Sequence, residues 1–189
     1  VLPPPVDTAF FRPAEGPRER FVLVVAALAP YKKVDVAIEA CRRAGVPLVV
    51  VGDGPERGRL AQAGGPSTHF AGRVGPQELR RLYSTALCYL QTGIEDFGIA
   101  TVEALACGTP VLALGEGGIL DIVESDREGL LVDDPGVDSL AAGIDKIQQM
   151  RFNPMDLRSR AENFSAERFT TRLQGHLKPF WPESEGEPT

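Results

Sequence analysis

The chain has 189 residues, 43% of them hydrophobic and 24% charged, which is the balance of a folded domain with a substantial core and argues against overall disorder. Lys and Arg number 20 against 26 Asp and Glu, and a net charge of −6 excludes broad nucleic-acid binding while leaving room for one local phosphate site. No apolar run is long enough for a transmembrane segment.

Cys41, Cys88 and Cys107 are widely spaced and match neither a zinc nor a CxxC pattern, so free buried thiols in a reducing, cytoplasmic setting are expected. His69 and His176 read as structural or surface residues, and no metal site is expected. The start, Val1-Leu2-Pro3-Pro4-Pro5, has no charged region and no long apolar stretch. It reads as an interior piece of a longer chain, not as a signal peptide.

Residues 1–18 hold five prolines and read as a stiff interdomain linker. Phe21 to Leu28 is the first strand candidate. A helix follows, with Val34, Ala37, Ile38 and Cys41 at helical spacing and Gly45 closing it. Pro47 to Val51 is a β-branched run suited to a strand buried on both faces. Pro55 to Ala63 is a helix with Pro55 at its first position. Then come a strand at His69 to Ala71, a helix at Pro76 to Tyr83, a strand at Leu87 to Gln91 and a helix at Ile99 to Cys107. Pro110 to Leu114 is a strand, Ile119 to Val123 a short helix, Leu130 to Val132 a strand and Val137 to Gln149 a helix. One helical region is expected from about Asp156 to Leu177. Residues 178–189, with three prolines and three glutamates, read as a flexible tail.

Such alternation predicts an α/β fold: a doubly wound, Rossmann-like parallel sheet of about six strands with helices on both faces. Residues 19–150 make that domain and 151–177 a C-terminal helical segment. Ligands in these sheets bind beyond the carboxyl ends of the strands. The residues after each strand are therefore the candidates.

After the first strand, Lys32 and Lys33 stand where an anion can be met, though lysine pairs are commonly just solvated. After the second, Gly52-Asp53-Gly54-Pro55 is a tight turn able to wall a cleft; its spacing does not fit the dinucleotide fingerprint. After the fourth comes the most informative stretch, Glu95-Asp96-Phe97-Gly98-Ile99-Ala100-Thr101-Val102-Glu103. Gly98 permits close backbone approach, and the free N–H groups of Ile99 and Ala100 suit a phosphate. Glu95 and Glu103 flank that point, either as acceptors for sugar hydroxyls or as ordinary surface glutamates around a helix start. After the fifth strand, Gly117-Gly118 forms either a second anion-friendly turn or a flexible connection.

Taken in order, these motifs resemble the C-terminal, donor-binding half of retaining glycosyltransferases of the GT-B fold, group 1 (family 4). The residues that carry the resemblance run from Val1 to Ala142: Pro4-Pro5-Val6-Asp7, Pro30-Tyr31-Lys32-Lys33-Val34-Asp35, Val51-Gly52-Asp53-Gly54-Pro55, Gly72-Arg73-Val74, Leu79 to Tyr83, Glu95-Asp96-Phe97-Gly98-Ile99 with Glu103-Ala104, Cys107-Gly108-Thr109-Pro110-Val111 and Gly117-Gly118. The resemblance implies a nucleoside-diphosphate sugar as donor, GDP-mannose or a UDP-sugar, with no cofactor. It implies that Glu95 sits at the donor sugar and that Glu103 holds the ribose. It implies that backbone amides near Gly98, Ile99 and Ala100 hold the distal phosphate, that Phe97 belongs to the donor site, and that Lys32 binds the diphosphate. Lys33 is a possible second cation, Gly52-Asp53-Gly54 a cleft wall, and Arg73 and Val74 the loop beside the base. It also implies a separate N-terminal acceptor domain as partner. The form Pro-Tyr-Lys-Lys-Val-Asp is similar to a mannosyltransferase branch of surface-polysaccharide assembly. Two positions depart from the family: Ala27 stands where Arg is usual, and Asp121 where Glu is common. A non-catalytic sugar-nucleotide-binding module, or an epimerase of related architecture, is the alternative.

Overall fold

The computed structural model describes residues 2–14, 16–178 and 180. Six parallel strands form one sheet: β1 Val22–Val25, β2 Leu48–Val51, β3 Thr68–Gly72, β4 Cys88–Gln91, β5 Val111–Leu114 and β6 Gly129–Val132. Their order is β3-β2-β1-β4-β5-β6, the doubly wound arrangement expected from the alternation. Register is tight at the centre: Val22 to Val25 pair with Leu48 to Val51, and Val22 and Leu23 pair with Cys88 and Tyr89.

The helices are α1 Val34–Arg43, α2 Arg57–Gly64, α3 Pro76–Thr85, α4 Ile99–Ala106, α5 Val137–Gln149, α6 Pro154–Ala161 and α7 Ala166–Leu177. Each face of the sheet has its own core. One packs Leu23, Tyr89, Val111 and Ala113 against Tyr83, Val102, Leu105 and Leu157 of α3, α4 and α6. The other packs Val22, Val24, Leu48, Val50 and Leu112 against Ala37, Ile38 and Cys41 of α1, Leu60 of α2 and Leu140 and Ile144 of α5. With both faces covered, the strands carry apolar side chains on both sides, which is why their sequences run without alternation. The three cysteines are free and buried, and burial pushes the Cys41 and Cys107 thiols up to about 12.

The expected short helix at Ile119 to Val123 is a 3-10 turn at Gly117–Asp121, and three further boundaries differ more consequentially from expectation. The first strand stops at Val25, not Leu28. Beyond it the chain still follows the loop after β2, with Ala26 and Leu28 amides on the Val51 and Asp53 carbonyls, but it leaves β4. α2 begins at Arg57, because Pro55 and Glu56 remain in the turn and the Glu56 amide is taken by the Leu28 carbonyl. The long C-terminal helix is two helices: a 3-10 turn at Glu162–Phe164 ends α6, and Ser165 caps α7 by accepting from the Arg168 amide.

Non-local contacts meet the chain at that break. The Val6 amide donates to the Phe164 carbonyl at 2.9 Å, and Val6 and Ser165 form a parallel bridge. Thr8 donates to Glu162, and Arg158 donates to the carbonyls of Thr8 and Phe11. Val6, Thr8 and Phe11 are buried, so the proline-rich segment is packed along the domain. Except for Lys178 and Phe180, the expected tail lies outside the described residues.

Candidate functional site

The chain leaves β1 toward one edge of the sheet and β4 toward the other, so the crevice beyond their carboxyl ends is the switch point where ligands bind in such sheets. A cleft of about 480 Å³ opens there. It brings together Ala26, Ala27, Tyr31 and Lys32 from the loop after β1 and Glu95, Phe97, Gly98, Ile99, Ala100 and Glu103 from the segment after β4.

Lys32 ends a 3-10 turn at Pro30–Lys32, its N-terminal Pro30 presetting the backbone. The Thr92 hydroxyl, just beyond β4, donates to the Lys32 carbonyl at 2.6 Å and so ties the β1 loop to β4. Across the cleft Lys32 Nζ meets Glu95 Oε1 at 2.7 Å. Both side chains are mostly buried, and the ammonium also lies 4.9 Å from the Tyr31 ring centre. The cleft thus holds a cation and a carboxylate that neutralise each other.

Gly98 caps α4 with φ +109, a backbone that an L side chain rarely adopts. A Cβ there would crowd Gln91 Oε1 and Thr101 Oγ1, which are bonded to each other at 2.7 Å. The amides of Ile99 and Ala100, at the first turn of α4, have no intrahelical acceptor and no partner among the described residues. Glu103 lies one turn further along α4. Its Oε2 accepts from the Tyr83 hydroxyl at 2.9 Å. Burial raises the Glu103 carboxyl above its ordinary range, and the Tyr83 bond opposes that rise. Burial also drives Tyr83 itself well up, so the phenol remains the donor.

The double glycine has a specific task here. The Gly118 amide donates to the Glu95 carbonyl at 2.8 Å, and a Cβ on Gly118 would lie 2.3 Å from the Asp96 carbonyl oxygen. Gly117-Gly118 is therefore the seat of the Glu95 loop. The remaining candidates stand apart from the cleft. Gly52 and Gly54 lie against the backbones of Ala26 and Leu28, and Asp53 Oδ1 accepts from the Gly54 amide. Lys33, at φ +50, caps α1. Arg73 is exposed beyond β3, and Val74 packs against the core on the α4 side. Sequence reading assigned Tyr83 no site role, although it falls in the Leu79 to Tyr83 stretch of the resemblance, and assigned none to Gln91 and Thr92; their partners lie across the fold or in the adjacent loop.

A larger cavity of about 750 Å³ lies on the far side of Phe97, lined by Pro3, Asp96, Asp121, Arg160 and Phe164. Its most buried cation, Arg160, is committed to the Asp121 and Ile122 carbonyls and to Glu124. The smaller cleft adds to its Lys32–Glu95 pair two amides without partners among the described residues, and is the better anion site. Among the described residues no three potential metal ligands come together, and no helix is long and apolar enough to cross a membrane.

The model of the family "Glycosyl transferases group 1" matches residues 6–167. The chain belongs to that family. It is 34% identical over 163 residues to a D-inositol 3-phosphate glycosyltransferase of Acidothermus cellulolyticus, covering 70% of this chain and 36% of that protein. It is 31% identical over 172 residues to a GDP-mannose-dependent alpha-(1-6)-phosphatidylinositol monomannoside mannosyltransferase of Mycobacterium tuberculosis, covering 76% and 45%. Among solved structures, Anabaena HepE in complex with UDP and glucose superposes with a TM-score of 0.77 at 20% identity, covering 92% of this chain and 55% of that one. This group 1 chain thus spans roughly a third to a half of the relatives it matches, and it shares its fold with Anabaena HepE.

Proposed function

We propose that the cleft between β1 and β4 binds a nucleoside-diphosphate sugar, and that the chain is the donor-binding half of a retaining glycosyltransferase. The carrying observation is the convergence of Lys32, the Ile99 and Ala100 amides, Glu95 and Glu103 on one cleft at the switch point. A diphosphate arriving there competes with Glu95 for Lys32. The ammonium then neutralises the nucleoside diphosphate as its bond to the sugar breaks. The α4 amides hold the distal phosphate, Glu95 is released to accept from sugar hydroxyls, and Glu103 accepts from the ribose.

The transferred sugar in this reading is a hexose. Mannose from GDP-mannose is tested first, because a similar protein carries that donor in its name; a UDP-sugar is the second choice, because a structural neighbour was solved with UDP. The acceptor in this reading is a glycan or a lipid-linked acceptor in polysaccharide assembly, and it is bound by a separate N-terminal domain of the parent protein. Three buried free thiols fit a cytoplasmic site of action. A second reading is favoured by Ala27, which lines the cleft where a guanidinium is usual: a module that binds the sugar nucleotide without transferring it.

Calorimetric titration with GDP, UDP, GDP-mannose and UDP-glucose tests the site. One base series binds, and Lys32→Ala weakens it by about tenfold or more, as losing one charged contact should. Undiminished binding in Lys32→Ala sinks the assignment. A parent protein that binds the donor but neither transfers nor hydrolyses it decides for the second reading.

A further inference from the structure

Tyr83 sits in α3 at 0% exposure, with its ring edge-on to Phe11 at 5.9 Å and Tyr89 at 6.1 Å. A phenylalanine would fill that space as well. The hydroxyl is what distinguishes the residue, and a buried phenol needs an acceptor. The acceptor is Glu103 Oε2 at 2.9 Å, on a carboxylate that lines the cleft. Glu103 Oε1 takes no bond from a described residue, and no side-chain oxygen among them is buried without a partner, so Oε1 opens toward the cleft. Tyr83 is itself held from behind, since the buried Thr109 hydroxyl donates to its carbonyl. The chain of contacts runs from Thr109 through Tyr83 to Glu103, and joins α3 to α4 at the edge of the site.

We infer that Tyr83 is a positioning residue: it fixes Glu103 by Oε2 so that Oε1 is presented to the ribose hydroxyls of the nucleotide, and it supplies recognition of the ribose in particular. The inference rests on the nucleotide-binding reading of the cleft. A glutamate left free must give up side-chain freedom when a ligand arrives, whereas one already tethered has lost it on folding. The tether also favours the charged form of a half-buried carboxylate, the better acceptor for hydroxyls.

The test pairs a protein change with a ligand change. The wild-type chain, Tyr83→Phe and Glu103→Ala are titrated with GDP and UDP and with their 2′,3′-dideoxy analogues. The wild type prefers the ribonucleotide of the base it binds, and Glu103→Ala removes that preference. Tyr83→Phe weakens the ribonucleotide by about five- to tenfold, the net scale of one ordinary hydrogen bond, and leaves the dideoxynucleotide within twofold. The dideoxynucleotide also reports whether the rest of the site is intact. Wild-type discrimination persisting in Tyr83→Phe overturns the inference alone. So does equal weakening of both ligands, the mark of a merely structural phenol. A wild type that does not distinguish the two sugars overturns the ribose role of Glu103 and this inference with it. A wild type that binds neither overturns the nucleotide reading as a whole.

Discussion

Helices α4 and α7 make opposite use of their apolar residues. In α4, Thr101, Val102, Ala104, Leu105 and Ala106 are buried in eight residues, between β4 and β5 on one side and α6 on the other. In α7, twelve residues contribute none to the core, and Leu173 and Leu177 are 37% and 50% exposed. Yet α7 has the cleaner division into apolar and polar faces, while α4 is apolar nearly all round. A sharp stripe shows that a helix has one face to cover; it does not show that the face is covered. The helix with the blurred pattern is the one that carries Glu103, because a carboxylate can be aimed only from a backbone that is itself immobilised.

The comparison breaks first, if it breaks, on stability. Leu105→Ala is expected to cost about 3 kcal/mol, because it leaves a cavity in a packed layer. In a thermal melt that is a fall in Tm of roughly 6–12 °C. A loss no greater than that of a surface change would mean that α4 is not held as described.

Glu103→Gln sharpens the contrast in the other direction. Burial raises the folded-state pKa of Glu103, so between the unfolded and folded values the native state binds more protons than the unfolded chain. That carboxylate therefore lowers stability as pH rises through the window, which opens at the ordinary glutamate value of about 4.3. The amide, which still accepts from Tyr83, should raise the Tm at pH 7 by less than the Leu105 loss, and give no gain below the window. A gain that persisted in acid would point to packing in place of charge. The smallest effect belongs to α7: Leu173→Ser should stay within about 0.5 kcal/mol of wild type in denaturant titration. A larger loss would show that α7 is covered in solution.

Legibility in the sequence followed the range of the forces. The Pro47–Val51 run and the helix at Val137–Gln149 were readable, because local propensity and burial agree there. Lys32, Glu95, Gly98 and Glu103 were readable as loop and helix-start chemistry after β1 and β4, and the fold does gather them into one cleft. The break before Ser165 was not, since the helical pattern runs through it and the Phe164 carbonyl is claimed by Val6 far away. The first strand was overextended because Ala26 to Leu28 are as apolar as the strand itself. Tyr83 fell within the stretch Leu79 to Tyr83 that carries the resemblance, but nothing local gives a role to a hydroxyl that acts twenty residues downstream.

The bridge between Val6 and Ser165 has a mechanical corollary. The two segments run parallel, so tension applied at Leu2 and at Lys178 pulls them past one another instead of peeling them apart. The Val6 amide bond and the Thr8 and Arg158 contacts beside it are then loaded together. Phe164, on the same turn, touches the Phe97 ring at 5.4 Å. In a stretched molecule, the first displacement is thus felt one side chain away from the cleft.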